Sequence, residues 1–190
     1  MTDSEDDDSA HVAADDSGLG LARGTVELVS HDPSWHDAYE REVERLRPRL
    51  GPHVVGFEHV GSTAVPGLAA KPIVDVLVLV AHLDETDEVA RVLTDAGYEE
   101  RPNDAVPDRR FFARGPSSCR THYLSVTERG SDCHRDQVSF RDALRADPDL
   151  AAEYERQKRA LAEAHADERE AYTDAKSAFV QSVLDDCDSD

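Results

Sequence analysis

The order of apolar patterns predicts an α+β domain, in which a small sheet of short strands is covered by helices and the last helices follow the sheet. Three observations carry this. Short β-like runs cluster between residues 53 and 127, every longer pattern after residue 133 has helical spacing, and no repeat of 20 to 50 residues breaks the chain into units. At 190 residues the chain is long enough for one sizeable core.

Residues 1–22 hold Asp3, Glu5, Asp6, Asp7, Asp8, Asp15 and Asp16 among small residues, and so are expected to be a disordered acidic tail. Residues 25–29 read as a short extended segment. Asp32-Pro33-Ser34-Trp35 opens a helix through residue 46, with Trp35, Tyr39, Val43 and Leu46 facing the core. Residues 53–60 and 71–80 read as strands, and the intervening 61–70, rich in Gly, Pro and small residues, allows no more than a helical turn. A helix over 84–96 ends at Gly97, a good residue just past a helix C-terminus. Extended runs at 98–101, 109–114 and 122–127 come next. Helices are then expected over 133–146, stopped by Asp147-Pro148, over 149–164, and over 167–184, where Asp167 and Glu170 have capping-box spacing. The domain therefore runs over 23–184, with 185–190 a second short acidic tail.

Asp and Glu number 41 against 21 Lys and Arg, a formal charge of −20 that repels nucleic-acid backbones and anionic membranes. Neither is an expected partner. Arginines outnumber lysines 18 to 3, and acids crowd the helices as well as the tail, the pattern of halophilic surfaces screened by molar salt. Lys71, Lys158 and Lys176 are thus exceptions, kept where a compact point charge serves better than a guanidinium. The alternative is that they sit on solvated faces or snorkel from the edge of a core stripe. Three irregularly spaced cysteines argue for a reducing compartment, and the N-terminus lacks signal-peptide character, so a cytoplasmic location is expected. The longest apolar run, 73–81, is far short of the ~20 residues a membrane span needs.

Asp75 is the most informative residue. It lies inside Lys71-Pro72-Ile73-Val74-Asp75-Val76-Leu77-Val78-Leu79-Val80, where an unpaired buried charge would cost several kcal/mol, about 3 or more, so a metal or a cation should accompany it. Just before it, Gly61-Ser62 gives a turn whose amides and hydroxyl suit an anion. Arg110 and Arg114 would share one strand face and suit phosphate recognition or ion pairing. His59 and His122 are candidates for general acid–base work or for structural hydrogen bonds. Cys119, His122, Cys133 and His134 match no usual structural-zinc spacing, and the segment 61–71 is not a Walker A loop.

His59-Val60-Gly61-Ser62-Thr63-Ala64-Val65-Pro66-Gly67-Leu68 with Lys71-Pro72-Ile73-Val74-Asp75 resembles the GrpB family. The likeness extends through His31-Asp32-Pro33-Ser34-Trp35, Arg109-Arg110-Phe111-Phe112, Arg120-Thr121-His122, Phe140-Arg141-Asp142-Ala143-Leu144 and Tyr172-Thr173-Asp174-Ala175-Lys176-Ser177-Ala178-Phe179, covering nearly all of 25–183. That family in turn resembles a minimal nucleotidyltransferase of the polymerase-β superfamily.

The resemblance implies a small mixed sheet of nucleotidyltransferase type. It also implies a nucleoside triphosphate held at Gly61 and Ser62, Mg2+ on Asp75, and transfer of a nucleotidyl group to a small acceptor. Catalytic roles would fall to Asp75 and His122, and phosphate-binding roles to Gly61, Ser62, Lys71, Arg110, Lys158 and Lys176. The chain departs from the two-metal pattern at i+2, where Leu77 stands. No acid lies in 122–127, so Glu58, Asp104, Asp108 or Glu128 would have to substitute. The alternative is a binding module for a phosphorylated metabolite, a nucleotide or a coenzyme A-related compound, since the family also occurs fused to dephospho-coenzyme A kinase.

Overall fold

A computed structural model describes residues 18–102, 106, 108–164 and 169–187. Helix α1 (Ser34–Leu50) leads to strand β1 (Gly56–Val60), a helical turn (Ser62–Ala64) and strand β2 (Val74–Val80). Helix α2 (Asp87–Asp95) precedes β3 (Tyr98–Glu100), β4 (Arg109–Arg114) and β5 (His122–Glu128). Helices α3 (Asp132–Ala146), α4 (Pro148–Ala164) and α5 (Arg169–Cys187) close the chain. The sheet order is β1-β2-β5-β4-β3, with β2 and β5 parallel and every other pair antiparallel. The fold is α+β with a mixed sheet.

Alternation along each strand divides the molecule into two faces. On one, Val74, Val76, Val78 and Val80 pack with Leu124, Val126 and Phe112 against Trp35, Tyr39, Val43, Leu46 and Leu50 of α1 and Val89 and Leu93 of α2. On the other, Leu77 and Leu79 meet Val60 and Val138 of α3, and Asp75 shares their side of β2. Beyond them, Val65 and Leu68 join Leu144, Tyr154, Phe140 and Phe179 in a cluster that binds α3, α4 and α5 together.

Helix α1 runs four residues past the expected end, since Leu50 extends the buried stripe, and it keeps Pro48 in its last turn at the loss of one intrahelical hydrogen bond. Strands β1 and β2 begin three residues late: Gly51–His53 is a helical turn, and Pro72 has no N–H for a ladder. The helix expected over 84–96 is a turn, Leu83–Glu85, followed by α2, with the Thr86 hydroxyl donating to the Leu83 carbonyl at 2.6 Å. Gly97 at φ 88° follows it, as expected. Asp147 Oδ1 accepts from the Asp149 and Leu150 amides at 2.9 and 3.1 Å, so one residue ends α3 and caps α4.

Residues 25–29 form no strand; only Val29 bridges, to Ala70. Residues 18–22, expected in the acidic tail, lie on the domain instead, with Leu21 buried and paired to Arg120. The apolar leucine explains the shift. Residues 1–17, Asp104 and the Asp167 cap lie outside the described residues.

Candidate phosphate-binding cleft

Strand β1 ends at Val60, and the φ of 72° and ψ of −175° at Gly61 swing the chain sharply into the Ser62–Ala64 turn. A side chain at Gly61 would collide with Asp75 Oδ2, because β1 pairs with β2 at Val60–Asp75 and carries the turn directly over that carboxylate. The turn is held from outside. Arg145 donates twice to the Ala64 carbonyl, at 3.0 and 2.7 Å, and Glu155 Oε2 accepts from the Ala69 amide at 2.9 Å.

Beside this turn opens a cleft of about 330 Å³, lined by Gly61, Ser62, Asp75, Tyr123 and, from α3, Asp136 and Gln137. Lys71, Lys158 and Lys176 line it as well. These are all the lysines the chain possesses, one from the loop before β2, one from α4 and one from α5. Their convergence is the opposite of solvated scatter.

Lys158 is 2% exposed. Its Nζ donates to the Ala69 carbonyl at 2.5 Å, lies 3.1 Å from Ser62 Oγ and stands 4.7 Å from the Tyr154 ring centroid. Burial, and then the charge of Lys176, bring its pKa down to about 7. Asp75 keeps an edge open to the cleft, yet its carboxyl is pushed up to about 6 by burial against the opposing pull of Lys176, Arg109 and Lys71. An acid and a base are both held here away from their ordinary charge preference.

Gly61, Ser62, Lys71, Asp75, Lys158 and Lys176 are thus brought together. Arg110 and His122 are not. The register pairs Arg110 with Val126 and His122 with Val74, placing both on the α1–α2 face of the sheet. There Arg110 is spent on Glu100 at 2.7 Å and Asp87 at 2.9 Å, and His122 is buried with Nδ1 3.0 Å from Thr121 Oγ1. The cleft roles expected of these two residues are corrected accordingly; the arginine on Asp75's face is the neighbouring Arg109.

His59 also lies on the α1–α2 side, stacked on Tyr39 at 4.7 Å between ring centroids, with Nε2 3.1 Å from Thr63 Oγ1. Burial first, with the charges of His36 and the nearby arginines, holds it down to about 3, so it steadies the turn as a neutral ring. Three acids considered as partners for Asp75 are engaged elsewhere or exposed to solvent. Glu58 binds Arg141 at 2.8 Å, Glu128 accepts from the Leu83 amide at 2.8 Å, and Asp108 is exposed. Leu77 is fully buried, and Tyr123 stands opposite Asp75 on β5. The acid that reaches the cleft is Asp136. Only its helical spacing to Phe140, four residues on, could have signalled it.

The sequence matches the family described as GrpB protein over residues 25–186. This chain belongs to the GrpB family. A GrpB protein of Alkalihalophilus pseudofirmus, named glutamate-rich, is 34% identical over 172 residues, covering 88% of this chain and 99% of that one. YqkA of Bacillus subtilis is 32% identical over 83% of this chain, which spans 46% of that relative. A dephospho-CoA kinase of Mycolicibacterium paratuberculosis is 32% identical over 84% of this chain, which spans 45% of the kinase. The crystal structure of conserved protein GrpB from Enterococcus faecalis superposes with a TM-score of 0.77 at 32% identity, covering 84% of this chain and 96% of that one. Among the described residues no helix is long and apolar enough to cross a membrane.

Proposed function

We propose that this GrpB domain binds a phosphorylated metabolite, with the phosphate seated between the Gly61-Ser62 turn and the lysines. The observation that carries this reading is that every lysine of an arginine-rich chain lines one cleft. A compact ammonium is a point-charge binder of phosphate, and a positive-φ glycine turn lets backbone donors approach an anion closely. At about 330 Å³ the cleft lies at the small end of ligand pockets, which run from about 300 to 1,000 Å³. The likeness to a dephospho-CoA kinase adds a coenzyme A-related compound to the ligands worth trying.

A second reading, nucleotidyl transfer from a nucleoside triphosphate, is favoured by Asp75 on the strand beside that turn. Among the described residues no three His, Cys, Asp or Glu converge to hold a metal. The donors fit one magnesium ion shared between Asp75 and the ligand's own phosphates, rather than a protein-held pair. Such an ion would neutralise charge on the phosphates. The chain's own part would be to orient the triphosphate with Ser62, Lys71 and Lys176 for in-line attack.

Thermal shift with pyrophosphate, ATP and dephospho-coenzyme A, each with and without magnesium in low and molar KCl, tests both readings. Stabilisation lost in Lys71→Gln and Lys176→Gln is the expected result, each substitution weakening binding about 10- to 100-fold if it removes one charge-assisted bond of about 1.5–3 kcal/mol. No shift with any of the three overturns the phosphate reading. A shift that needs magnesium and disappears in Asp75→Ala selects the transfer reading, and a magnesium-independent shift selects simple binding.

A further inference from the structure

We infer that Ser62 and Lys158 form a nucleophile–base pair, and that Ser62 Oγ accepts a phosphoryl group from a phosphoester or phosphoanhydride lying in the cleft. The substrate class rests on the phosphate reading above. The pairing itself rests on geometry alone.

Ser62 stands at a sharp strand-to-turn corner, facing the cleft, with its backbone fixed by Arg145 on Ala64 and by the closeness of Gly61 to Asp75. Lys158 Nζ is 3.1 Å from Ser62 Oγ, within reach for proton transfer. It is also buried, and among the described residues no salt bridge ties it to a carboxylate. Glu155, one turn earlier on α4, is engaged by the Ala69 amide and by Arg159 at 2.9 Å. A neutral lysine has two N–H bonds and one lone pair. One N–H goes to the Ala69 carbonyl, which leaves the lone pair for the Ser62 hydroxyl proton. When that proton is taken up, the Tyr154 ring faces the new cation.

A lysine held near pH 7 by burial and by Lys176 is partly neutral at the working pH of a general base. The other charged groups facing the pair are Lys71, Lys176, Asp75 and Asp136 from the cleft walls and Glu155 and Arg159 on α4. The step balances without an outside reagent other than water. Ser62 Oγ bonds to phosphorus, its proton passes to Lys158 Nζ, the bond from phosphorus to the leaving oxygen breaks, and Lys158 returns the proton to that oxygen. Water then attacks the phosphoserine by the same route and frees Ser62.

A fluorophosphonate probe tests the pair without relying on phosphate recognition: Oγ bonds to phosphorus, fluoride leaves, and Lys158 takes the proton. Intact-mass and peptide analysis of the full chain should find the adduct on Ser62. It should be absent from Ser62→Ala and form about 100-fold more slowly in Lys158→Arg, which keeps the charge but cannot act as base. The wild-type rate should rise through an inflection near pH 7 that Lys158→Arg lacks. Lys158→Met provides a second comparison, with circular dichroism confirming that each variant is folded.

No adduct on Ser62, or an adduct formed by Lys158→Arg at the wild-type rate, overturns the inference. Pyrophosphate thermal shift run in parallel separates the two proposals. A shift without an adduct sinks the pair and leaves the phosphate cleft, whereas a Lys158-dependent adduct without a shift keeps the pair and sinks the phosphate reading.

Discussion

The two faces of the sheet handle charge in opposite ways. On the α1–α2 face, Glu42 is 3% exposed yet meets Arg45 at 2.6 Å, Arg114 at 2.6 Å and the Tyr98 hydroxyl at 2.8 Å. Burial pushes its carboxyl up, and these partners outweigh burial and hold it below the usual range. On the α3–α5 face, burial outweighs the cations near Asp75, and Lys158 has a hydroxyl, a carbonyl and a ring in place of a carboxylate. Charge closed among its own partners serves the fold. Charge left with unused capacity is what a guest can complete.

Breaking the closed network should have the largest effect. Glu42→Ala should lose about 3–5 kcal/mol in urea unfolding, because it strands Arg114 and the buried Tyr98 hydroxyl, while leaving pyrophosphate affinity intact in the folded fraction. A loss below about 1 kcal/mol would erase the contrast between the faces. Next comes Gly61→Ala, expected to cost roughly 1–3 kcal/mol through its positive φ and its clash with Asp75. Part of that should return in the double variant with Asp75→Ala, which removes the carboxylate contact but leaves the residue-75 Cβ at 3.1 Å and the backbone strain.

Asp75→Asn should go the other way. With a folded pKa of about 6 against an ordinary 3.8, Asp75 binds protons more readily in the folded state, so its penalty develops between those values and is complete above about 6. The amide removes that penalty, and the variant should gain on the order of 2 kcal/mol at pH 8, gain little below pH 4, and, with one negative charge fewer in the cleft, bind magnesium-free pyrophosphate at least as tightly as the wild type. The smallest effect is a few-fold fall in sulfate affinity as pH rises through the neutralisation of Lys158, which is centred near 7. Sulfate keeps its charge throughout, so an unchanged affinity would mean that Lys158 does not contribute to the anion's field.

Much of this division was legible in the chain. An aspartate inside an apolar strand and three lysines among eighteen arginines both stand out against composition, and both led to the cleft. Helices were legible through their apolar stripes, and their ends less so, because Leu50 and Thr86 take their places from packing and from a hydroxyl contact. Facing was the weak point. Strand alternation says that Arg110 and Arg114 share a side, but only the pairing of β4 with β5, and of β5 with β2, says that this side is away from Asp75. The same non-local register separates Tyr123, which lines the cleft, from His122, which does not. Asp136 comes from a helix distant in sequence, and its spacing to Phe140 is the one local pattern that announces it.

The segment before α1 lies across one wall of the cleft at Leu28, and it is fastened on either side of that point. Leu21 exchanges backbone bonds with Arg120 at 3.0 and 2.8 Å, and Val29 does the same with Ala70 at 2.9 and 3.0 Å. Between those fastenings the Arg23 amide donates to the Ser117 carbonyl at 2.7 Å and the Thr25 amide to the Ala22 carbonyl at 3.2 Å, so occupancy of the cleft should register first in the amide resonances and exchange rates of residues 26–28, nearest Leu28. This stretch is a built-in spectroscopic gauge, readable by NMR or deuterium uptake with no label introduced.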